Sequence, residues 1–585
     1  MLKKITYPLF LLVIAYLLLY NHDVKTIIAG IAIFLIGMVF MEDGFKLFSG
    51  GLLEKVLEKS TNSVPKAIGT GFIATAIIQS SSLLTIIVIS FLSAELITLS
   101  GAIGVVFGSN VGTTATAWIV STFGVKINIA YYAMPMIIFG VIFRFNNNNK
   151  TYHGLGNILL GLGFVFLGIG YMKDGFEAMK VGLDLAEFAM SGYLGVLVYI
   201  FVGIIATVII QSSSATMALI ITALATGQIE YANALALAIG ANVGTTVTAI
   251  IGSLSSNANG KRLAVAHFIF NITTGLIAVV FLYQLADLVT FLSSKIGIGD
   301  DDYPMQLALF HTIFNVLGVL AVAPFTAKLV VYLKSLFIED EKDISRARYL
   351  DNAVVEVPQA AIAALKKEII HLYDNATEVL SHALSLHRHT FIGMGDEIST
   401  VVNSSVTEID MNIDDFYEKK IKILYGDIIH YATISQENMS EEEQHRIYSL
   451  KIACRDIVET IKDVKVIQKN VNRFFKSKND SIRGEYNFLR EVIAKTLDGI
   501  QALRNSSDDL EVLAKLKVIE DEYQKLDMIG NGRIDSLIRS NSIETKMATS
   551  IINDSDYAYQ ISKKLIRVAT ILWIEDKHIQ ELGEK

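Results

Sequence analysis

The sequence is short of the residues that stabilise and run soluble enzymes. It has one cysteine, Cys454, so no disulfide can form within the chain. Charged residues make up 18% of 585 residues against 52% apolar, with a mean hydropathy of +0.46, a profile that excludes a soluble enzyme of this size. No phosphate-binding loop, nucleophile–base arrangement or cluster of metal ligands stands out, so neither an enzyme, a cofactor nor a nucleic-acid partner is expected. Proline is scarce too: of six, only Pro358 follows Pro324, which leaves the last part of the chain free to run in long helices.

The charge that is present is unevenly spread. Up to Phe337 there are 17 Lys/Arg and 15 Asp/Glu, and after it 33 and 43, while 33 of the 41 glycines fall before Phe337. A glycine-rich, charge-poor part followed by a glycine-poor, charge-rich one means a membrane domain followed by a soluble domain. Lys3 and Lys4 precede an apolar run from Ile5 to Tyr20 with no small-residue cleavage site after it, so residues 1–23 are expected to form an uncleaved transmembrane anchor. Further apolar segments recur up to Phe337, several long enough for the roughly 20 residues a span needs.

Two of these segments carry a polar tetrapeptide at their centre, Gln79-Ser80-Ser81-Ser82 and Gln211-Ser212-Ser213-Ser214. Each is followed by a second signature, Gly108-Ser109-Asn110-Val111-Gly112-Thr113-Thr114 and Gly240-Ala241-Asn242-Val243-Gly244-Thr245-Thr246, and both signatures repeat at an offset of 132. Aligned without gaps, 71–119 and 203–251 share 23 of 49 residues, and Met41-Glu42-Asp43-Gly44-Phe45 recurs as Met172-Lys173-Asp174-Gly175-Phe176 at an offset of 131. The membrane domain is thus a duplication, with repeat 1 at 24–145 and repeat 2, plus additional helices, at 146–337. Polar, glycine-interrupted segments at matching places in two repeats point to a transporter's binding site at the membrane midplane. Irregular backbone at that depth must be covered by protein or a wet cavity, so re-entrant hairpins or broken helices are expected. Asp43 and Asp174 are expected to cap segment ends. His267 and Asn271 recur as His311 and Asn315, each within H-x-I-F-N; one helix face carries each pair, and a polar seam between helices is the favoured role.

Hydroxyls, amides and helix-start N–H groups can replace the hydration of a small anion with neutral dipoles. With hardly any fixed cation embedded, helix termini and co-bound cations must offset the anion's charge, and the same oxygens suit a hard cation such as sodium. The doubled Q-S-S-S, the paired G-x-N-V-G-T-T blocks and the M-x-D-G-F segments resemble the sodium-dependent phosphate cotransporter family, bacterial relatives of the type II animal cotransporters, over residues 24–337. The resemblance implies two inverted repeats and an all-α polytopic fold with re-entrant hairpins. It further implies a shared phosphate and sodium site built from Gln79, Ser80, Ser81, Ser82, Asn110, Thr113, Thr114, Gln211, Ser212, Ser213, Ser214, Asn242, Thr245 and Thr246. Sodium is then the coupling ion, with inorganic phosphate, sodium and the lipid bilayer as partners.

From about Asp343 apolar residues recur at helical spacing, and breaks delimit roughly six long helices in an all-α bundle, expected as two three-helix units. Tyr349-Leu350-Asp351 and the helix from Pro358 resemble the PhoU-like domain fused to such transporters, so 338–585 is expected to be regulatory, through a partner or a homo-oligomer. Asp410 with Asp414 matches that domain's metal pattern only loosely and reads as a solvated face. Basic residues before the first span and after the last put the N-terminus and this domain on the cytoplasmic side of the cell membrane. The expected function is sodium-coupled phosphate transport by alternating access. The rivals are a phosphate exporter and a membrane-anchored phosphate sensor that does not transport.

Overall fold

The computed structural model describes residues 22–49, 56–57, 59–125, 130–145, 150–180, 190, 192–253, 256–337, 345–351, 355, 357–437, 439–506, 509–527 and 532–574. The expected anchor at 1–23 lies outside them except for its last two residues. The chain divides into two compact units, Met1–Glu339 and Asp340–Lys585, and among the described residues there is no strand.

The first unit contains α1 (His22–Ser49), α2 (Val64–Ile78), α3 (Ser81–Ser93), α4 (Leu99–Gly112), α5 (Thr114–Ile119), α6 (Ala130–Arg144), α7 (Lys150–Met179), α8 (Gly192–Ile210), α9 (Ser213–Ala225), α10 (Tyr231–Ser253), α11 (Ala258–Val280), α12 (Leu282–Ile296), α13 (Tyr303–Val322) and α14 (Thr326–Leu336). Seven described stretches are long and apolar enough to cross a membrane. Large apolar side chains such as Ile36, Leu194, Ile209 and Leu276 stand exposed on them, as lipid-facing positions do. This is a multi-pass membrane unit.

Glycines set its helix pairs. Gly30 packs on Gly168, Gly37 on Gly161 and Gly44 on Gly154, so α1 and α7 run antiparallel with backbones in contact. A Cβ on Gly37 would lie 2.6 Å from Val165 N and one on Gly168 2.6 Å from Phe34 N, closer than any side chain tolerates. The seven-residue spacing of Gly30, Gly37 and Gly44 is repeated by Gly161, Gly168 and Gly175, each 131 positions on. Asp43 and Asp174 are exposed within α1 and α7, not at their ends, so they cap nothing; the helices continue beyond them, with Gly44 and Gly175 taken up in close helix contacts.

The two signature segments share one design. Gly104 faces Ala67, and Gly112 faces Thr75, which makes α2 and α4 parallel neighbours. The intervening α3 must therefore run back between their ends, so α2 and α3 are a helical hairpin with Q-S-S-S at its tip. In the second copy Gly203 meets Leu237 and Gly244 meets Thr207, giving the same arrangement for α8, α9 and α10.

In the second unit the long helices are α15 (Pro358–Ala383), α16 (Lys422–Ile434), α17 (Glu441–Phe474), α18 (Asp480–Arg504), α19 (Asp509–Gln524) and α20 (Thr545–Trp573). Their apolar faces join in one buried cluster that includes Leu372, Leu424, Ile457, Leu489 and Ile561, not two three-helix cores. The reason is α20, which packs on both α17 and α18 and closes the bundle. Arg490 is fully buried in it, donating to Leu384 O at 2.8 Å and Asn487 Oδ1 at 2.9 Å, its guanidinium 4.5 Å from the Phe475 ring centre. Asp414 pairs with Lys465 at 2.5 Å, as a solvated face does.

Candidate phosphate and sodium site

Gln79 ends α2 and Gln211 ends α8, both in left-handed backbone with φ of 60° and 57°. That region costs an L residue about 1 kcal/mol or more, and both copies accept it at the same place. The next residue caps the returning helix: Ser80 Oγ accepts from Leu83 N, and Ser212 Oγ from Ala215 N, each at 3.2 Å. The N–H groups of Ser81, Ser82, Ser213 and Ser214 then fall in first turns, where the helix provides no acceptor and its dipole is positive. Such tips offer donors to an anion.

The threonines of the second signature do the opposite. Thr113 Oγ1 donates to Asn110 O at 2.7 Å, Thr114 to Val111 O at 2.7 Å, Thr245 to Asn242 O at 2.6 Å and Thr246 to Val243 O at 2.7 Å. A hydroxyl has one proton, and with it committed to the helix only lone pairs face outward. They suit a hard cation, not an anion.

The two repeats meet through a residue the signatures left out. Thr116 Oγ1 donates to Gln79 Oε1 at 2.8 Å and lies 3.3 Å from Ser214 Oγ, with Gln79 6%, Thr116 4% and Ser214 8% exposed. The repeat equivalents of Gln79 and Ser214 are Gln211 and Ser82, and both are exposed. The two copies of the tetrapeptide therefore differ in burial. Thr116 could have been found from sequence, because it is one of the positions identical in both copies.

Further residues join the site. Glu42, the variable position of M-x-D-G-F, accepts from Ser80 Oγ at 3.0 Å and pairs with Lys46 at 3.1 Å; its counterpart is Lys173, paired with Glu177 at 3.9 Å. Asn242 Nδ2 lies 3.2 Å from both Asn271 Oδ1 and Asn315 Oδ1, so the two H-x-I-F-N helices reach a signature asparagine and are more than a seam between each other. Arg262 is 7% exposed at the start of α11, where it donates to Asn259 Oδ1 at 2.6 Å and to the carbonyl of Phe337. It serves helix ends.

The family model described as Na+/Pi-cotransporter matches residues 33–174 and 187–299, which include both hairpins and both G-x-N-V-G-T-T segments. The first unit belongs to this family. Within the Na+/Pi-cotransporter family, the Escherichia coli (strain K12) protein YjbB, named for inorganic phosphate export, is 27% identical over 432 residues, 72% of this chain and 73% of that protein. Bacillus subtilis (strain 168) YqeW is 28% identical over 304 residues, 51% of this chain and 93% of that protein, and is thus too short to hold both units. Human sodium-dependent phosphate transport protein 2B is 39% identical over 88 residues, 14% of this chain and 12% of that protein. No solved structure matches. A phosphate transporter family on a multi-pass membrane unit is therefore the setting for the two half-sites.

Proposed function

We propose that this chain moves inorganic phosphate across the cell membrane together with sodium, by alternating access between two inverted repeats. The observation that carries the proposal is the broken symmetry at the hairpin tips: the Gln79–Thr116–Ser214 contact is made while Gln211 and Ser82 are exposed. A pair of equivalent gates, one closed and one open, is what a two-sided carrier requires. The antiparallel packing of α1 on α7 at a 131-residue offset supports inversion, because the axis relating them is perpendicular to helices that cross the membrane.

In this reading phosphate sits between the tips on the N–H groups of Ser80, Ser81, Ser82, Ser212, Ser213 and Ser214 and the hydroxyls of Ser81, Ser82, Ser212, Ser213 and Ser214, with Gln79 and Gln211 holding the turns. Sodium takes the lone pairs of Thr113, Thr114, Thr245 and Thr246 and the amide oxygens of Asn110 and Asn242. Each net positive charge entering a negative-inside cell gains about 2.3 kcal/mol per 100 mV. The second unit is a PhoU-like regulatory domain on the cytoplasmic side, and the short YqeW relative supports a membrane unit that can exist without it.

Vesicles containing the full chain should accumulate labelled phosphate when sodium is higher outside, with arsenate competing; uptake indifferent to sodium would remove the coupling. Export is the second reading, favoured by the name of the relative that covers 72% of the chain. It is the same machine run outward, and phosphate efflux without a sodium requirement would select it. Saturable binding without flux would select a sensor.

A further inference from the structure

The two H-x-I-F-N segments are tied to the G-x-N-V-G-T-T asparagines by a closed set of amide bonds. Asn315 Nδ2 donates to His311 O at 2.8 Å, which leaves its Oδ1 for Asn242. Asn271 Nδ2 lies 2.9 Å from His267 Nε2 and 3.3 Å from Thr245 Oγ1, which likewise leaves its Oδ1 for Asn242. Both N–H bonds of the Asn242 amide are then used, so the end it can offer to anything else is its carbonyl oxygen. Asn271 and Asn315 are fully buried and Asn242 is 4% exposed, so no bulk water competes for these bonds. In the other repeat Asn110 Nδ2 is spent on Val106 O at 2.8 Å, and Asn110 Oδ1 lies 3.4 Å from the same His267 Nε2. With Nε2 accepting from Asn271 Nδ2, the imidazole has no proton on that nitrogen for Asn110 Oδ1, so its hydrogen bond there is to Asn271 alone.

We propose that Asn271, Asn315 and His267 are positioning residues of the transport site: the two asparagines clamp Asn242 with its carbonyl oxygen presented as a ligand, and His267 Nε2, accepting from Asn271 Nδ2, fixes the Asn271 amide in the orientation the clamp needs. What Asn242 holds rests on the phosphate and sodium reading above. A clamp of this kind removes the alternative amide orientation, in which Asn242 would present its NH2 and repel a cation. It also accounts for an asparagine on each of the two helices: α11 and α13 each contribute one acceptor.

The test uses the full chain in vesicles and, separately, in detergent. Asn315→Ala and His267→Leu should raise the half-saturating sodium concentration by about tenfold while the maximal rate per folded molecule falls less, and His267→Gln, which returns a polar atom near Nε2, should recover most of the loss. Placed on Asn242→Ala, Asn315→Ala should add nothing further, because it acts through that side chain. If Asn242→Ala moves no phosphate, the same comparison is made on the rise in melting temperature that sodium phosphate induces in detergent. Variants that lower only the amount of folded protein, with half-saturation within about twofold of wild type, or effects that add in the double variant, would overturn the proposal and leave a plain polar seam. Wild-type protein that is stabilised by sodium phosphate but moves none would sink the transport reading alone, and loss of that stabilisation in Asn315→Ala would still uphold the clamp.

Discussion

Thr116→Val removes one hydroxyl from the contact that joins the repeats and changes almost nothing else in size. In wild type that hydroxyl satisfies Gln79 Oε1 at 2.8 Å in a place where Gln79 is 6% exposed. Leaving a buried amide oxygen without its donor costs about 1–3 kcal/mol. The cost falls only on the conformation in which the contact exists, so the opposite conformation gains by a factor of roughly five to one hundred and fifty. A thiol placed at a position buried in the described conformation reads that population directly, because it reacts only when the other conformation exposes it. Ser213→Cys is such a position at 9% exposure, and Cys454 will not interfere, being fully buried with burial raising its thiol well above the ordinary range. Labelling of Ser213→Cys by a membrane-impermeant reagent should therefore accelerate at least about fivefold when Thr116→Val is added. Labelling of Ser81→Cys, half-exposed in the described conformation, should slow or stay level. Equal Ser213→Cys rates with and without Thr116→Val would refute the gate.

Three further outcomes are expected. Glu42→Gln weakens the bond from Ser80 and removes a carboxylate beside one half-site, so half-saturating sodium in uptake assays should rise by about fivefold, the worth of roughly 1 kcal/mol; an unchanged sodium curve would separate Glu42 from the ion. Thr207 Oγ1 is buried without a partner, whereas its repeat equivalent Thr75 donates to Ser109 Oγ at 2.9 Å; the position matching Ser109 is Ala241. Ala241→Ser should raise the unit's stability by about 1 kcal/mol, read as a higher melting temperature. In the second unit, burial raises the Asp554 carboxyl above its ordinary 3.8, only partly offset by bonds from Tyr486 OH at 2.6 Å and Asn470 Nδ2 at 2.9 Å. A raised acid favours the fold most below its unfolded value and loses that contribution as pH climbs through the folded one, so the stability of Asp554→Asn relative to wild type should improve from acid towards neutral pH; a pH-independent difference would contradict this.

Much of the hairpin architecture is legible in the sequence, for identifiable reasons. A polar tetrapeptide inside apolar residues has few places to go, and its recurrence at 132 residues fixes equivalent tips. Other features were written in the sequence but needed contacts to interpret: the glycines at seven-residue intervals in α1 and α7 mean little until Gly37 is seen against Gly161. The difference between Gln79, buried, and Gln211, exposed, is not encoded at those positions at all, because the residues are identical and the environments differ with conformation. The H-x-I-F-N pairs looked like a seam because their local spacing shows a shared face but not what that face meets. Arg262 stands beside Lys261 at the start of an apolar segment, a placement that does not show the bond it makes to the distant Phe337 carbonyl.

The central claim is that the doubled signature makes one phosphate site from two halves. It is tested most directly by sodium-driven phosphate uptake into vesicles carrying Ser81→Ala, Ser213→Ala or both, compared at equal amounts of folded protein. The account predicts that each single variant loses nearly all uptake and that the double variant loses no more, since either half alone cannot hold the ion. Single variants that each keep about half of the maximal rate at unchanged affinity would mean two independent sites, and would contradict it.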